Sequence, residues 1–300
     1  MLISVIIVNW NRLDDMNETL SSLQTQTYKN YEIVVVDNGS TDGSLEMIEN
    51  KYPYVKLIKS DKNLGCEGGF NLGMENSIGD IFFYLDSDAS LSNDVLERVS
   101  VEFNKNSKLG ILDPRIVNPH NNSIINEPKN WPLKNHFTGC AAAIRSSVIE
   151  KIGMRPAEYF IYTSEADLSL RTIDANYTIE HFSDIVAFHR ESPKKRLSSK
   201  FYYYYTRNGL WLIWKFYPFF PAIKETIIHL FYNFIKSLLA LSPWHFFSGL
   251  FEGIRDFKKY SLDKRKPIDL YNDARLYPPI IVMISILFDK IRSLGLKNNV

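Results

Sequence analysis

The sequence predicts an α/β protein with a doubly wound sheet and helices on both faces. Four short apolar runs alternate with segments of helical spacing over the first third of the chain. Short polar stretches follow these runs, as expected where the strands of such a sheet end. The chain has 300 residues, of which 45% are hydrophobic and 23% are charged. This composition supports a sizeable buried core and excludes a disordered or collagen-like chain.

The first two predicted strands are Leu2–Val8 and Tyr31–Val36. Both are rich in β-branched residues, which is typical of strands buried on both faces of a parallel sheet. Asp14–Gln24 follows the first strand with leucines on one side, so we expect a helix there. A polar turn at residues 37–43 follows the second strand and leads into a predicted helix at Ser44–Lys51.

The next part of the chain continues this alternation of strands and helices. The expected elements are the strand Val55–Lys59, a glycine-rich loop at residues 65–73, a helix around Phe70–Ser77, the strand Ile81–Leu85 and the helix Asn93–Asn104. Short connections between alternating strands and helices favour one doubly wound sheet over separate small domains.

Polar side chains follow each of the four strands, at the carboxyl ends where such sheets bind ligands. They are Asn9, Asn11 and Arg12; Asp37 and Asn38; Asn63 to Asn71; and Asp86 and Asp88. Turn formation alone explains any one of these groups. It explains Asp86 and Asp88 poorly, because two carboxylates after an apolar strand are costly unless they are paired or bind a cation.

The chain lacks the two common phosphate-binding motifs. Residues 65–73 do not match G-x-G-x-x-G, which disfavours a nicotinamide site, and no G-x-x-x-x-G-K-[ST] is present. Asp86 and Asp88 instead favour a hard divalent cation that bridges the phosphates of a nucleotide diphosphate. The net charge of +1 disfavours nucleic acid as a partner.

Three motifs, in this order, resemble those of family 2 glycosyltransferases. They are Val-Asp-Asn-Gly-Ser-Thr-Asp-Gly at 36–43, Asn-Leu-Gly-Cys-Glu-Gly-Gly-Phe-Asn-Leu-Gly at 63–73 and Leu-Asp-Ser-Asp-Ala at 85–89. The similarity continues through Thr138-Gly139, Ser164–Arg171, His189 and Arg207-Asn208, and the rhamnosyltransferase-like branch fits best. The resemblance implies an inverting enzyme of the GT-A fold, with a Rossmann-like mixed sheet, that uses nucleotide sugars. It implies a catalytic domain at 1–215 and an amphipathic helical tail at 216–300.

The resemblance also implies a donor site. Asp86, Asp88 and His189 would bind a divalent cation, Mg²⁺ or Mn²⁺, at the donor diphosphate. The residues expected to bind the nucleotide sugar are Val8, Asn9, Asn11, Asp37, Asn63, Gly68, Gly69, Asn71 and Ser87. Turn formation is the alternative for Asp37, and a structural role is the alternative for His189. The basic run at 190–196 would close over the donor.

The resemblance places the general base in Ser164-Glu165-Ala166-Asp167, where relatives have an acid pair. Alignment gives the base position to Glu165, which would remove the proton from the acceptor hydroxyl. Asp167 would support the site or pair with Arg171, four residues on. A helix N-terminal acid without catalytic function is the alternative for Glu165. The residues expected on the acceptor side are Trp131, Thr138 and Gly139, although a core position suits Trp131 equally well.

Charge is unevenly distributed along the chain. Residues from Lys194 to the end include 18 Lys and Arg against 7 Asp and Glu, a net charge of +11, and the first 193 residues carry −10. The tail contains an amphipathic pattern at Thr226–Leu241, aromatic residues at 244–247 and a basic patch at 258–266. It is too polar to span a bilayer, so we expect peripheral binding to the cytoplasmic face of the membrane, near a glycan or lipid-linked acceptor. Packing against the catalytic domain or a second copy is the alternative.

Two cysteines, Cys66 and Cys140, form no disulfide framework and indicate reduced thiols in a cytosolic protein. Two other functions compete with sugar transfer. A sugar-phosphate nucleotidylyltransferase would need a glycine-rich, arginine-bearing loop where this chain has Asn9-Trp10-Asn11-Arg12. A catalytically inactive scaffold that binds glycan at the membrane would account for the unusual Ser164-Glu165 pair.

Overall fold

The computed structural model describes residues 1–126, 136–190 and 200–268. The strands are β1 (Ile3–Asn9), β2 (Tyr31–Asp37), β3 (Lys56–Lys59), β4 (Ile81–Asp86), β5 (Ala89–Leu91), β6 (Leu109–Val117), β7 (Ala141–Arg145) and β8 (Thr178–His189). The helices are α1 (Leu13–Gln24), α2 (Ser44–Lys51), α3 (Gly65–Glu75), α4 (Val95–Lys105), α5 (Ser146–Ile152), α6 (Ser164–Asp174), α7 (Lys200–Phe216), α8 (Phe219–Leu239) and α9 (Pro243–Arg255). The strands form one mixed sheet in the order β3-β2-β1-β4-β7-β6-β8-β5. The predicted α/β architecture is confirmed.

Helices cover both faces of the sheet, because successive side chains on a strand point to opposite faces. Ile3, Val5 and Ile7 on β1 pack in one apolar cluster with residues of α1, α2 and α4. Ile6 packs in a second cluster with residues of α3, α5 and α6. All four side chains are fully buried, which explains why β1 is apolar on both faces.

The carboxyl ends of the central strands meet at one edge of the sheet. β1 lies between β2 and β4 and is parallel to both. Asn9 is in register with Asp37, and Val8 is in register with Asp86. The polar residues after these three strands therefore lie side by side, as the sequence predicts.

The far half of the sheet curls back toward β4. β7 is antiparallel to β4 and β6, and β5 pairs antiparallel with β8 at the opposite edge. β5 begins only three residues after Asp86, so the sheet edge formed by β5 must lie close to the end of β4. The pairing of Ala89 with His189 then carries His189 to the same place.

The predicted glycine-rich loop at 65–73 is wrong, because this segment forms most of α3. Gly65 has a φ of 76°, a conformation that favours glycine, and it begins the helix. A Cβ at Gly69 would lie 2.6 Å from Val8 Cγ1, and a Cβ at Gly73 would collide with Ile6. The glycines thus allow α3 to pack closely on β1.

The described part of the tail packs around α7. A Cβ at Gly209 on α7 would collide with His229 on α8, and a Cβ at Gly249 on α9 would collide with the backbone of Tyr203. Trp211 Nε1 donates a hydrogen bond to the backbone oxygen of Gly253 at 2.9 Å. No helix within the described residues is both long enough and apolar enough to cross a membrane.

Candidate active site

The ends of β4 and β8 bring two carboxylates and one imidazole together. Asp86 ends β4, Asp88 follows it, and His189 ends β8. One ligand atom from each of these residues lies within 4.8 Å of the other two. His189 Nε2 is 3.2 Å from Asp88 Oδ1. The structure therefore brings together the three residues predicted to bind a metal.

The two carboxylates differ in how readily they ionise. Burial raises the pKa of Asp86 to about 7, and the negative charge of Asp88 adds to this effect. Burial acts on Asp88 in the same direction, but the hydrogen bond with His189 and the charge of Arg12 outweigh it and hold the pKa of Asp88 below its ordinary value. Asp88 is thus ionised at neutral pH, and an added cation would favour the ionised form of Asp86 as well.

Two arginines, Arg12 and Arg190, hold Asp88 in place. Arg12 Nη2 lies 3.0 Å from Asp88 Oδ2. The backbone nitrogen of Arg190 donates to the backbone oxygen of Asp88 at 3.0 Å. Arg190 Nη1 donates to Glu18 Oε1 on α1 at 2.8 Å, so this arginine ties the end of β8 to α1.

Glu165 lies in the first turn of α6, and its side chain is 19% exposed. The turn before it contains three residues with positive φ, which are Phe160 (66°), Tyr162 (66°) and Thr163 (73°). Such angles are uncommon outside glycine and persist only where the surroundings enforce them. Asn208 Nδ2 on α7 donates to three backbone oxygens within residues 159–162, at 2.9 to 3.1 Å. α7 therefore holds the strained turn that begins α6.

Glu165 is in the same electrostatic neighbourhood as the paired aspartates. After burial and the charge of Asp88, the charge of Glu165 also raises the pKa of Asp86. Asp167 is placed differently. It is fully buried, its Oδ1 accepts from Arg171 Nε at 2.6 Å, and its Oδ2 lies 2.5 Å from Lys215 Nζ. Asp167 thus pairs with Arg171, as the spacing predicts, and links α6 to α7.

Of the predicted acceptor-side residues, Gly139 contacts Glu165. A Cβ at residue 139 would collide with Glu165 Oε1, so only glycine allows this approach. The backbone nitrogen of Thr138 donates to Asp113 Oδ1 at 2.8 Å. His136 is not among the residues predicted from the sequence. Burial lowers the pKa of His136 to about 4, although the charge of Glu165 opposes this. Trp131 lies outside the described residues.

The residues predicted to bind the nucleotide base form a hydrogen-bonded layer after β1 and β2. Asn9 Nδ2 donates to Asp37 Oδ1 at 2.9 Å, and the backbone nitrogen of Ser40 donates to Asp37 Oδ2 at 2.9 Å. Asn11 has a φ of 53°, and its Oδ1 accepts from the backbone nitrogen of Thr41 at 2.7 Å. Both carboxylate oxygens of Asp37 thus take part in the turn, in line with the alternative stated for this residue.

The other predicted donor residues lie at α3 and after β4. Asn63 Oδ1 accepts from the backbone nitrogen of Gly65 at 2.8 Å. The side chain of Asn71 exchanges two hydrogen bonds with the backbone of Arg155, at 2.9 and 3.0 Å. A Cβ at Gly68 would lie 3.0 Å from Leu64 Cβ. Ser87, which separates the two aspartates in sequence, is buried. The rest of the basic run, residues 191–196, lies outside the described residues.

A charged pair that sequence reasoning missed lies next to Glu165. Arg155 and Glu67 form a buried ion pair at 2.5 Å, and Arg155 Nη2 lies 3.3 Å from Glu165 Oε1. The one sequence signal is an acidic residue, Glu67, within a segment of small and apolar residues.

The donor atoms fit a hard divalent cation. Carboxylate oxygens and an imidazole nitrogen are suitable ligands for Mg²⁺ or Mn²⁺. Burial and then the charge of Asp88 raise the pKa of Asp86, and a bound cation would offset the repulsion between the two carboxylates. Glu165 places a carboxylate, a proton acceptor, in the same neighbourhood. The arrangement can therefore support displacement of an anionic leaving group by a deprotonated hydroxyl.

Comparison with known proteins identifies relatives of the chain. The model of the family described as "Glycosyl transferase family 2" matches residues 4–156. An "Uncharacterized glycosyltransferase" of Haemophilus influenzae is 39% identical over 32% of this chain and 40% of its own length. "Glycosyltransferase AglE" of Haloferax volcanii is 27% identical over 66% of this chain and 70% of its own. The Escherichia coli "UDP-Glc:alpha-D-GlcNAc-diphosphoundecaprenol beta-1,3-glucosyltransferase WfgD" is 24% identical over 67% and 81%.

Solved structures share the fold at low sequence identity. S. aureus TarS 1–349 in complex with UDP-GlcNAc has a TM-score of 0.64 and 16% identity, covering 85% of this chain and 81% of that chain. The mannosyltransferase PcManGT from Pyrobaculum calidifontis, in complex with GDP-Man and Mn²⁺, has a TM-score of 0.59 and 19% identity, covering 87% and 76%. At these identities the likeness shows a GT-A-like fold.

Proposed function

The chain belongs to glycosyl transferase family 2 and is a glycosyltransferase, and from this premise we propose that it transfers a sugar, with inversion, from a nucleotide-diphosphate sugar to a glycan or lipid-linked glycan. The observation that carries the proposal is the grouping of Asp86, Asp88 and His189 in the neighbourhood of Glu165. The proposal includes a role in cell-surface polysaccharide or glycoconjugate synthesis and a place in the rhamnosyltransferase-like branch.

The proposed reaction is one displacement at the anomeric carbon of the donor sugar. The acceptor hydroxyl oxygen forms a bond to this carbon, its proton passes to the Glu165 carboxylate, and the bond to the nucleotide diphosphate breaks with both electrons on the leaving oxygen. Attack from the face opposite the leaving group inverts the configuration. The partial exposure of Glu165 supports this role, because the base must reach an acceptor that enters from solvent.

Asp86, Asp88 and His189 would hold the divalent cation, Mg²⁺ or Mn²⁺, which would stabilise the negative charge of the departing diphosphate. Contacts within the protein hold two of these ligands in place. Arg12 and His189 keep Asp88 ionised, and Arg190 fixes the end of β8 against α1. The PcManGT complex contains Mn²⁺ together with GDP-Man, which supports this part of the proposal.

The acceptor is proposed to be linked to a lipid, and the enzyme to lie on the cytoplasmic face of the membrane. The name of the E. coli relative includes a diphosphoundecaprenol, which supports a lipid-linked acceptor. α8 and α9 expose large apolar side chains at helical spacing, which are Phe220, Ile223, Ile227, Phe231 and Leu238 on α8 and Trp244, Phe247, Phe251 and Ile254 on α9. Phe220 is 81% exposed and Trp244 is 76% exposed. Exposed apolar patches of this kind mark protein or membrane interaction sites.

A donor screen tests the proposed function. Nucleotide diphosphates and their sugars are added to the purified protein with Mg²⁺ or Mn²⁺, and thermal unfolding and release of the nucleotide diphosphate are followed. We expect one nucleotide class to raise the unfolding temperature, because a ligand that binds the folded state stabilises it. We expect its sugar conjugate to be turned over. Binding without any turnover, with or without acceptor, would favour the inactive scaffold.

A further inference from the structure

A buried ion pair contacts Glu165 at the start of α6. Arg155 Nε lies 2.5 Å from Glu67 Oε2, and neither side chain is more than 1% exposed. The guanidinium carbon of Arg155 lies 4.9 Å from the ring centroids of both Phe70 and Tyr84. Packing on two rings and pairing with one carboxylate restrict the guanidinium to a single orientation.

Stability alone does not account for this pair. Burial of two charges is costly, and an apolar pair of similar volume is often as stable or more stable. Within the part of the chain that the structure describes, Arg155 Nη1 and Glu67 Oε1 are also buried without a hydrogen-bond partner. Burial raises the pKa of Glu67, which is a further sign of this cost. A costly charged pair beside a candidate catalytic carboxylate indicates a functional role.

A third group of contacts joins the pair to the turn that carries Glu165. Arg155 Nη2 donates to Ser164 Oγ at 3.0 Å and lies 3.3 Å from Glu165 Oε1. Glu165 Oε1 is also the atom with which a side chain at Gly139 would collide. The place of this oxygen is therefore determined by Arg155 together with the backbone at residue 139.

The backbone of Arg155 is held as firmly as its side chain. Asn71 Nδ2 donates to the backbone oxygen of Arg155 at 2.9 Å, and Asn71 Oδ1 accepts from its backbone nitrogen at 3.0 Å. Asn71 and Glu67 are four residues apart on α3, so they lie on one face of this helix. α3 thus holds both the backbone and the charged end of Arg155.

We propose that Arg155, held by Glu67, is a positioning residue that orients the Glu165 carboxylate for removal of the acceptor proton. This inference rests on the proposed role of Glu165 as the general base. A guanidinium is planar and always charged, and it donates hydrogen bonds in fixed directions. Its hydrogen bond to Oε1 restricts rotation of the carboxylate, and Glu67 supplies the negative charge that a buried arginine requires.

The substitution Arg155→Lys tests the proposal, because lysine keeps the charge beside Glu67 but lacks the planar fork. We expect kcat to fall on the order of 10²-fold with little change in KM for the donor, because a catalytic group displaced by about 1 Å loses this much rate. Arg145→Lys is the matched control. Arg145 also packs on a ring, at 5.1 Å from the Phe103 centroid, but it donates to backbone oxygens of residues 103, 106 and 109. The kcat of the Arg145→Lys enzyme should stay within about twofold of wild type.

A double-mutant cycle with Glu165→Gln separates positioning from a loss of packing. If Arg155 acts through Glu165, Arg155→Lys lowers kcat in the wild-type background and changes nothing further once residue 165 is Gln. An equal fold loss in both backgrounds overturns the proposal, as does wild-type kcat in Arg155→Lys alone. If Arg155→Lys does not fold, the double variant Glu67→Gln/Arg155→Met replaces it in the cycle, because it removes both buried charges together. A loss of kcat that disappears in the Glu165→Gln background again supports the proposal, and an equal loss in both backgrounds again overturns it.

The cycle also distinguishes this inference from the proposed function. Full activity of Glu165→Gln would overturn the assignment of the base, and the positioning role with it. A strong loss in Glu165→Gln, combined with additive effects of Arg155→Lys, would leave the base in place and overturn the positioning role alone.

Discussion

Gly139 determines how closely the loop before β7 approaches the carboxylate of Glu165. Because a Cβ at this position would collide with Glu165 Oε1, Gly139→Ala must displace that carboxylate or the loop. We expect kcat to fall on the order of 10²-fold while donor binding is retained, since the metal ligands are untouched. Steady-state kinetics with titration of the nucleotide diphosphate measure both quantities. A Gly139→Ala enzyme with wild-type kcat would show that the position of Glu165 Oε1 does not matter.

Glu165 and Asp167 are two residues apart and are expected to respond differently to loss of charge. Glu165→Gln removes the proton acceptor, so we expect kcat to fall by roughly 10²–10⁴ with unchanged stability. Asp167→Asn removes the charge of a fully buried carboxylate that two partly exposed cations, Arg171 and Lys215, share. We expect it to lower the free energy of unfolding by about 1.5–3 kcal/mol, as for the loss of hydrogen bonds to a charged group. Denaturant unfolding and kcat are measured on both variants. If Asp167→Asn is inactive but of normal stability while Glu165→Gln is active, Asp167 is the general base and Glu165 is not.

At the level of the elements, the packing of α8 on α7 is expected to weaken in acid. Burial lowers the pKa of His229 to about 4, although its hydrogen bond with the backbone oxygen of Thr206 opposes this. In the unfolded chain the pKa of histidine is about 6.5, so as the pH falls residue 229 binds a proton in the unfolded chain before it does so in the folded protein. The contribution of neutral His229 to stability is therefore complete above about pH 6.5 and is lost as the pH falls toward about 4.

Thermal and denaturant unfolding at pH 7.5 and 5.5 test this pH dependence. Replacing His229 with Leu should make the loss of stability between these two pH values smaller by about 1 kcal/mol, because one proton-binding site of the unfolded chain is removed. His120, which is exposed, provides the control, since His120→Leu should leave the pH dependence unchanged. Equal pH dependence in wild type and His229→Leu would contradict the expectation.

The central strands were predictable from sequence because their signals are local. The runs at Leu2–Val8 and Tyr31–Val36 match β1 and β2 to within one residue at each end. β7 could not be predicted in the same way, because its sequence Ala-Ala-Ala-Ile-Arg has little strand propensity. It forms a strand because β4 and β6 pair with it on both sides. The sequence predicts a loop where α3 begins and a helix only from around Phe70, because the glycines that let α3 pack on β1 are typical of loops when they are judged locally.

The candidate site was predictable only where a motif carries it. The resemblance predicts that Asp86, Asp88 and His189 bind a cation together, and the structure groups them. Glu67 and Arg155 are 88 residues apart in sequence, and no local pattern connects them. Their relation to Glu165 follows from the packing of α3 against the turn before α6, which only a three-dimensional structure can show.

At the scale of the whole molecule, α7 connects the tail helices to the site. Asn208 holds the turn before Glu165, and Arg207 Nη1 donates to Glu252 Oε1 on α9 at 2.9 Å. Binding of α8 and α9 at a membrane surface would therefore fix the position of the start of α6 relative to that surface. The excess of positive charge from Lys194 onward would add attraction to anionic lipids.

Vesicle co-sedimentation of the full chain tests this membrane expectation. The full chain should bind anionic vesicles at low salt, and binding should weaken as salt is added. Replacing Phe220, Phe231 and Trp244 with Ser should reduce the bound fraction several-fold, because apolar area is lost from the exposed faces of α8 and α9. Ile78→Ser is the control, because Ile78 is 77% exposed but lies just after α3, outside the tail helices. If the full chain does not bind at low salt, or if the triple variant binds as well as wild type, the membrane proposal is wrong.

We propose that Asp86, Asp88 and His189 hold the cation on which sugar transfer depends, and turnover of the Asp88→Asn variant tests this role most directly. Release of nucleotide diphosphate is measured for wild type, for Asp88→Asn and for Asp184→Asn, an exposed aspartate on β8 that serves as the control. We expect Asp88→Asn to lose at least about 10²-fold in turnover at saturating Mn²⁺, because one anionic ligand is removed. Wild type in a chelator should be equally inactive, and Asp184→Asn should be active. Undiminished turnover by Asp88→Asn, or by wild type without a divalent cation, would contradict the claim.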